Sequence, residues 1–110
     1  MAKQGRINAA VEHYQKALDI NPDNVEAHNN LGNTLARQGR IDEAIEQYLK
    51  ALHLNPDYEK VHNNLGIAYF RKGNTTKAIE HFKAALRIKP DYAHAASNLK
   101  KALAASQNKP

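Results

Sequence analysis

Between residues 41 and 54, Ile41, Ala44, Ile45, Tyr48, Ala51 and Leu52 recur at a regular spacing, with mostly charged and amide residues between them. That i, i+3, i+4, i+7 spacing lays them along one face of a helix. The stripe appears 34 residues earlier as Ile7, Ala10, Val11, Tyr14, Ala17 and Leu18, and 34 residues later as Ala78, Ile79, Phe82, Ala85 and Leu86. A second stripe of Ala27, Leu31 and Leu35 precedes the central one, and it recurs as Val61, Leu65 and Tyr69. Pro22, Pro56 and Pro90 stand in register between successive pairs of stripes. Proline cannot continue a helix and biases the residue before it away from helical backbone. Gly5, Gly39 and Gly73 mark the other junction in each pair, where Gly73-Asn74 makes a turn.

Residues 25–58 and 59–92 are identical at fifteen of their 34 paired positions. A fixed period of this length means stacked units, each burying an apolar face against its neighbours. The predicted fold is all-α, a right-handed helical-hairpin solenoid in one domain. It comprises a partial repeat over 1–24, full repeats over 25–58 and 59–92, a capping helix over 93–105 and a disordered tail over 106–110. Within it, residues 1–5 read as the tail of a helix ended by Gly5 in left-handed conformation. Asp23 is placed to cap the following helix, with Glu26 completing a capping box. Gly32 costs helix propensity, roughly 1 kcal/mol against Ala, so it needs a close approach, and the small Ala44 is the expected partner. In the last helix Ala95, Ala96, Leu99 and Leu103 are expected on the buried side. Lys100 stands there where Gly32 and Gly66 stood, which suits a cap polar on its open face.

The residues His28, Leu31-Gly32, Leu35, Ala44, Tyr48, Ala51 and Pro56, followed by His62, Leu65-Gly66, Tyr69, Ala78, Phe82, Ala85 and Pro90, resemble the tetratricopeptide repeat family. His replaces the usual Trp or Tyr, and Leu35 replaces the first aromatic, departures that touch packing rather than fold. The resemblance implies a protein-interaction scaffold whose first helix in each pair lines a concave, peptide-binding groove.

With Leu31 and Leu35 turned inward, the groove side of the central repeat carries Glu26, Asn29, Asn30, Asn33, Ala36 and Arg37. The next repeat offers Lys60, Asn63, Asn64, Ile67, Phe70 and Arg71, and the last helix His94, Ser97, Asn98 and Lys101. Asn30, Asn64 and Asn98 are one period apart and should form a ladder. An amide donates and accepts, matching a peptide unit, though each bond is worth only ~0.5–1.5 kcal/mol net. The ladder is similar to that of the repeat domain of O-linked N-acetylglucosamine transferases, which implies a grip on peptide backbone. Family members that clamp the C-terminal carboxylate of heat-shock chaperones use cations with Asn along this face. Asn33 and Asn64 match that clamp, but Asn29, His94 and Asn98 stand where its cations belong. Ile67 and Phe70 form an apolar pad flanked by Arg37, Lys60, Arg71 and Lys101, which favours an acidic peptide with one apolar anchor.

The net charge of +5 is modest and its signs are interleaved, as on an ordinary solvated surface. No cysteine is present, so disulfides and thiolate metal sites are excluded. No apolar run reaches membrane-span length and no signal-peptide core follows Met1, so a soluble, cytoplasmic chain is favoured. The six His lack metal-site spacing, and His28 and His62 read as packing residues between paired helices. No nucleophile elbow, phosphate loop or dinucleotide fingerprint occurs, so no enzyme activity, cofactor, catalytic residue or metal is expected. Nucleic acid is not expected either: the related RNA-binding repeat has a period of 35, and no basic stripe with stacking aromatics is visible. Two functions remain, a peptide-binding adaptor from a longer repeat array and a self-assembly module. The second rests on the incomplete first repeat, whose stripe lacks most of its cover and would pair in a homodimer.

Overall fold

The chain is punctuated by residues that helical backbone cannot carry. The computed structural model describes residues 2–107, and these form six helices and no strand: α1 (Ala2–Ile20), α2 (Val25–Arg37), α3 (Ile41–Leu54), α4 (Glu59–Lys72), α5 (Thr75–Ile88) and α6 (Ala93–Gln107). Pro22 follows the end of α1, and the Asp23 N–H donates to Asn21 Oδ1 at 3.1 Å to close the turn. Gly39 and Gly73 adopt φ of +80° and +90°, a left-handed backbone that only glycine enters without strain. Among the described residues no helix is long and apolar enough to cross a membrane.

Three local expectations are corrected. Gly5 has no positive φ and lies inside α1, which runs on through it, because a glycine with helix-forming neighbours need not stop a helix. Asn24 rather than Asp23 caps α2: its Oδ1 accepts from the Ala27 N–H at 3.1 Å. The Pro22 turn uses one residue more than the capping-box spacing allowed. Ser106 and Gln107 are helical residues of α6, against the disorder expected from 106 onward, and residues 108–110 lie outside those described.

The helices fall into two compact units, Met1–Pro56 and Asp57–Pro110. In the first, α2 packs against both α1 and α3; in the second, α5 packs against α4 and α6, and α6 also touches α4. Ala27, Leu31, Leu35, Ala44, Ile45, Tyr48 and Ala51 form the first core, joined by Val11 of α1. Val61, Leu65, Tyr69, Ala78, Phe82, Ala85, Ala95 and Ala102 form the second. The buried line of α6 is thus Ala95 and Ala102, whereas Ala96 and Leu103 are exposed and Leu99 is half-buried. Ala95 and Ala102 take the places of buried Val61 and Ala68, so α6 keeps the register of a first helix, and Ala96 and Leu103 are exposed because among the described residues no second helix covers that side.

Gly32 and Gly66 are required by a different neighbour from the one expected. A Cβ on Gly32 would lie 2.6 Å from the Tyr48 ring, and one on Gly66 would lie 2.5 Å from Phe82. Ala44 and Ala78 are fully buried as expected. The aromatic ring one turn further along is what lies on the glycine backbone. Buried Tyr48 and Phe82 are each 2% exposed, so neither ring has open space to swing into.

Gly66→Ala and Gly5→Ala are therefore expected to move stability in opposite directions. At Gly66 the gain in helix propensity, roughly 1 kcal/mol, is outweighed by an overpacking cost of about 1–3 kcal/mol. At Gly5 nothing lies within 4 Å of an added Cβ. Only the propensity gain of about 0.5–1 kcal/mol remains there. Urea unfolding of both variants checks this, and a stabilised Gly66→Ala would contradict the ring contact.

Candidate functional site

The phase fixed by the ring-on-glycine contact decides which side chains each first helix turns outward. On α4, Lys60, Asn64, Ile67 and Arg71 follow at i, i+4, i+7 and i+11 and so share one line. Lys60 and Arg71 are exposed and Asn64 is half-buried. Ile67 is 37% exposed and Phe70, on the flank of the line, 38%. Both apolar side chains are thus accessible. In α6, which packs beside α4, the same register holds exposed His94 and Lys101 with half-buried Asn98 between them. In the first unit the line on α2 reads Glu26, Asn30, Asn33 and Arg37, with half-buried amides between exposed charges.

Two of the sequence-selected residues do not belong to this surface. Asn29 and Asn63 are only 6% and 5% exposed, and Asn63 lies a step round α4, on the flank that α6 covers. Asn63 Oδ1 accepts a hydrogen bond from Asn98 Nδ2 at 3.0 Å. The Asn63 side chain also bonds the Tyr92 hydroxyl, where it opposes the burial that raises the phenol pKa above its ordinary value. Asn63 is thus a joint that holds α6 against α4. Asn98 contributes to that joint as well as to the outer line.

The identity of the core ring decides what stands above it. Tyr48 is buried, and its hydroxyl needs a partner; it donates to Asn33 Oδ1 at 2.5 Å. One period on, Phe82 has no hydroxyl and Ile67 occupies the place of Asn33. The apolar pad of the second unit therefore exists where the aromatic makes no polar demand. The first unit has an amide there instead, tied to its core.

The sequence reading missed a pair of imidazoles. His62 Nδ1 and His81 Nδ1 are 3.1 Å apart, so one ring donates to the other across α4 and α5. His81 also stacks on Tyr69 with centroids 5.6 Å apart, and the Lys77 ammonium lies 5.3 Å from the Tyr69 ring centre. The corresponding pair in the first unit is His28 and Gln47, at 2.8 Å, with His28 Nε2 donating to the Pro22 carbonyl at 2.7 Å. The shared separation of 19 residues was the available signal, since it links facing positions of a hairpin. Among the described residues no three His or carboxylate side chains converge as a metal site would need.

Comparison with known proteins agrees with this architecture. A family model described as TPR repeat matches residues 2–39 and 32–73, and one described as Tetratricopeptide repeat matches residues 59–92. No curated protein matches the chain. Among solved structures, the first TPR of Spaghetti (RPAP3) bound to HSP90 peptide SRMEEVD is similar at a TM-score of 0.92 and 25% identity, over 96% of this chain and 84% of that one. YrrB, described as a TPR protein with an unusual peptide-binding site, is similar at a TM-score of 0.82 and 30% identity. That match takes in 90% of this chain and 51% of YrrB, so the chain spans about half of YrrB's length.

The His62–His81 pair carries a pH dependence. Burial is the main cause that pulls His81 from its usual 6.5 down to about 4; repulsion from His62 and Lys77 adds to it and Glu80 opposes it. The folded protein thus binds fewer protons than the unfolded chain between those two values, and stability rises with pH across that window. It is fully present above about pH 6.5 and falls away as the pH drops toward 4. Melting temperatures measured across this range should fall for the native chain. The fall should be shallower for His81→Gln, which copies the first unit's His28–Gln47 pairing.

Proposed function

The chain belongs to the tetratricopeptide repeat family, and from that premise we propose that it is a protein-interaction scaffold whose second unit holds an extended acidic peptide by one apolar side chain. The observation that carries this reading is the exposed pair Ile67 and Phe70, set among Lys60, Arg71 and Lys101, with no carboxylate on the Lys60–Arg71 line of α4 or the His94–Lys101 line of α6. An apolar peptide side chain seated on the pad gains roughly 1.5–3 kcal/mol if fully buried. The cations favour approach of a negatively charged segment. The amides of Asn64 and Asn98 add backbone hydrogen bonds of ~0.5–1.5 kcal/mol each, and Asn30 of the first unit repeats that amide in the same register. The repeat domains that share this fold, with peptides named in their descriptions, support a peptide as the ligand class.

A second reading, self-association, is favoured by α1. Its Ile20 is 87% exposed, and Ile7, Ala10, Tyr14 and Leu18 are only half covered by α2. A second copy covering that stripe would bury apolar area that the described fold leaves in water.

Fluorescence anisotropy with a labelled, C-terminally amidated peptide of glutamates around one leucine, and with its neutral analogue carrying Gln for Glu, tests the first reading. The acidic peptide should bind and the neutral one should bind markedly less. Phe70→Ala should weaken binding by roughly tenfold while leaving the melting temperature nearly unchanged. Equal binding of both peptides, or a Phe70→Ala chain that binds as well as the native one, would remove this proposal.

A further inference from the structure

The two hairpins of the chain are bridged at the same place by different chemistry. In the first, the bridge runs from His28 on α2 to Gln47 on α3, with His28 Nδ1 2.8 Å from the Gln47 amide oxygen. In the second it runs from His62 on α4 to His81 on α5, and the two Nδ1 atoms stand 3.1 Å apart. The first hairpin shows that the fold accepts an amide at this position, so packing does not require the second imidazole. What that imidazole adds is a second ring nitrogen at the same point. Both rings are half-buried, so the pair is reachable from solvent. His81 is steadied on its other side by the Tyr69 ring, 5.6 Å away between centroids.

That separation is the bite of one metal ion. At a metal–nitrogen distance of about 2.0–2.1 Å, two imidazoles on a single ion lie about 2.9 Å apart at a right angle and about 3.3 Å apart in a tetrahedral arrangement. The 3.1 Å between the two Nδ1 atoms falls between these values. We propose that His62 and His81 form a binding site for a divalent transition-metal ion that favours imidazole, copper(II) before zinc(II), held by the two Nδ1 atoms. The ion takes the place of the proton that the rings share. The donating ring moves that proton to Nε2, and each ring turns slightly so that both lone pairs converge beside the nitrogen–nitrogen line. A closed site of three or four side chains is absent among the described residues. Water therefore fills the remaining positions, and the ion stays exchangeable. With two imidazoles as the only protein ligands, the intrinsic order of affinities places copper(II) above zinc(II). The nearby charge is mixed: Lys77, one turn before His81, opposes a cation, and Glu80 favours one. Once bound, the ion ties α4 to α5 across the second hairpin.

Titration with zinc(II) chloride tests this, read by calorimetry and by the NMR signals of each imidazole, with circular dichroism to confirm helix content. Zinc(II) should move the signals of His62 and His81 together, before those of the exposed His13, His53 and His94. Copper(II) chloride should displace zinc(II) from the pair, and magnesium(II) chloride should not. His81→Gln copies the bridge of the first hairpin and so keeps the fold. It should weaken zinc(II) binding at the pair at least roughly tenfold, and His62→Gln should do the same. Zinc(II) should raise the melting temperature of the native chain and leave that of His81→Gln nearly unchanged. Gln47→His sets a second imidazole against His28 and should add a second ion of similar affinity. A helical His81→Gln chain that binds zinc(II) as tightly as the native one overturns the proposal, as does zinc(II) that moves His62 without His81. A helical Gln47→His chain that gains no second ion overturns it as well.

Discussion

An aromatic ring resting on the bare backbone of a glycine is the contact on which this molecule depends. Tyr48 on Gly32 and Phe82 on Gly66 bring the helices of each hairpin close enough that only alanine fits beside the rings. Ala44, Ala51, Ala78 and Ala85 are accordingly fully buried. A glycine inside a helix costs roughly 1 kcal/mol, and burial of a ring of this size contributes more than that. The contact also sets the rotation of α2 and α4 about their axes. With one face committed to the ring, the line three to four residues round becomes the outward surface. The candidate binding residues are therefore positioned by the core.

The same ring shapes the chemistry of that surface. A buried phenol requires a hydrogen-bond partner, and in the first unit Asn33 supplies it. Loss of one oxygen atom, from Tyr48 to Phe82, releases the corresponding outer position to become Ile67. The two units thus share a backbone plan and differ in what they present: amides between charges of both signs in one, an apolar pad among cations in the other. A repeat protein diversifies its surface in this way while its period stays constant.

The helical hairpins, their stripes and the turns at Gly39 and Gly73 were legible because period and proline-glycine punctuation are local properties of the chain. The exposure of Ile67 and Phe70 was legible for the same reason. Gly32 was seen to need a close neighbour, but identifying Tyr48 instead of Ala44 requires knowing how far a side chain leans along its own helix. Asn63 was mistaken for a surface residue because nothing in its own helix shows that Asn98 and Tyr92 cover it. Likewise α6 keeps the register of α2 and α4, but among the described residues no second helix covers Ala96 and Leu103, which the repeat pattern alone assigned to the buried side. Gly5 shows the converse case. It occupies a turn position of the period, but its φ is not positive and the chain continues through it as one helix.

A double-mutant cycle between Gly66 and Phe82 tests the central contact most directly. Gly66→Ala is measured alone and in a Phe82→Leu background, where the branched side chain can turn away from the backbone. The ring contact predicts a coupling of about 1–3 kcal/mol, with the alanine destabilising under phenylalanine and stabilising under leucine. Additive effects, with Gly66→Ala costing the same in both backgrounds to within about 0.5 kcal/mol, would contradict it.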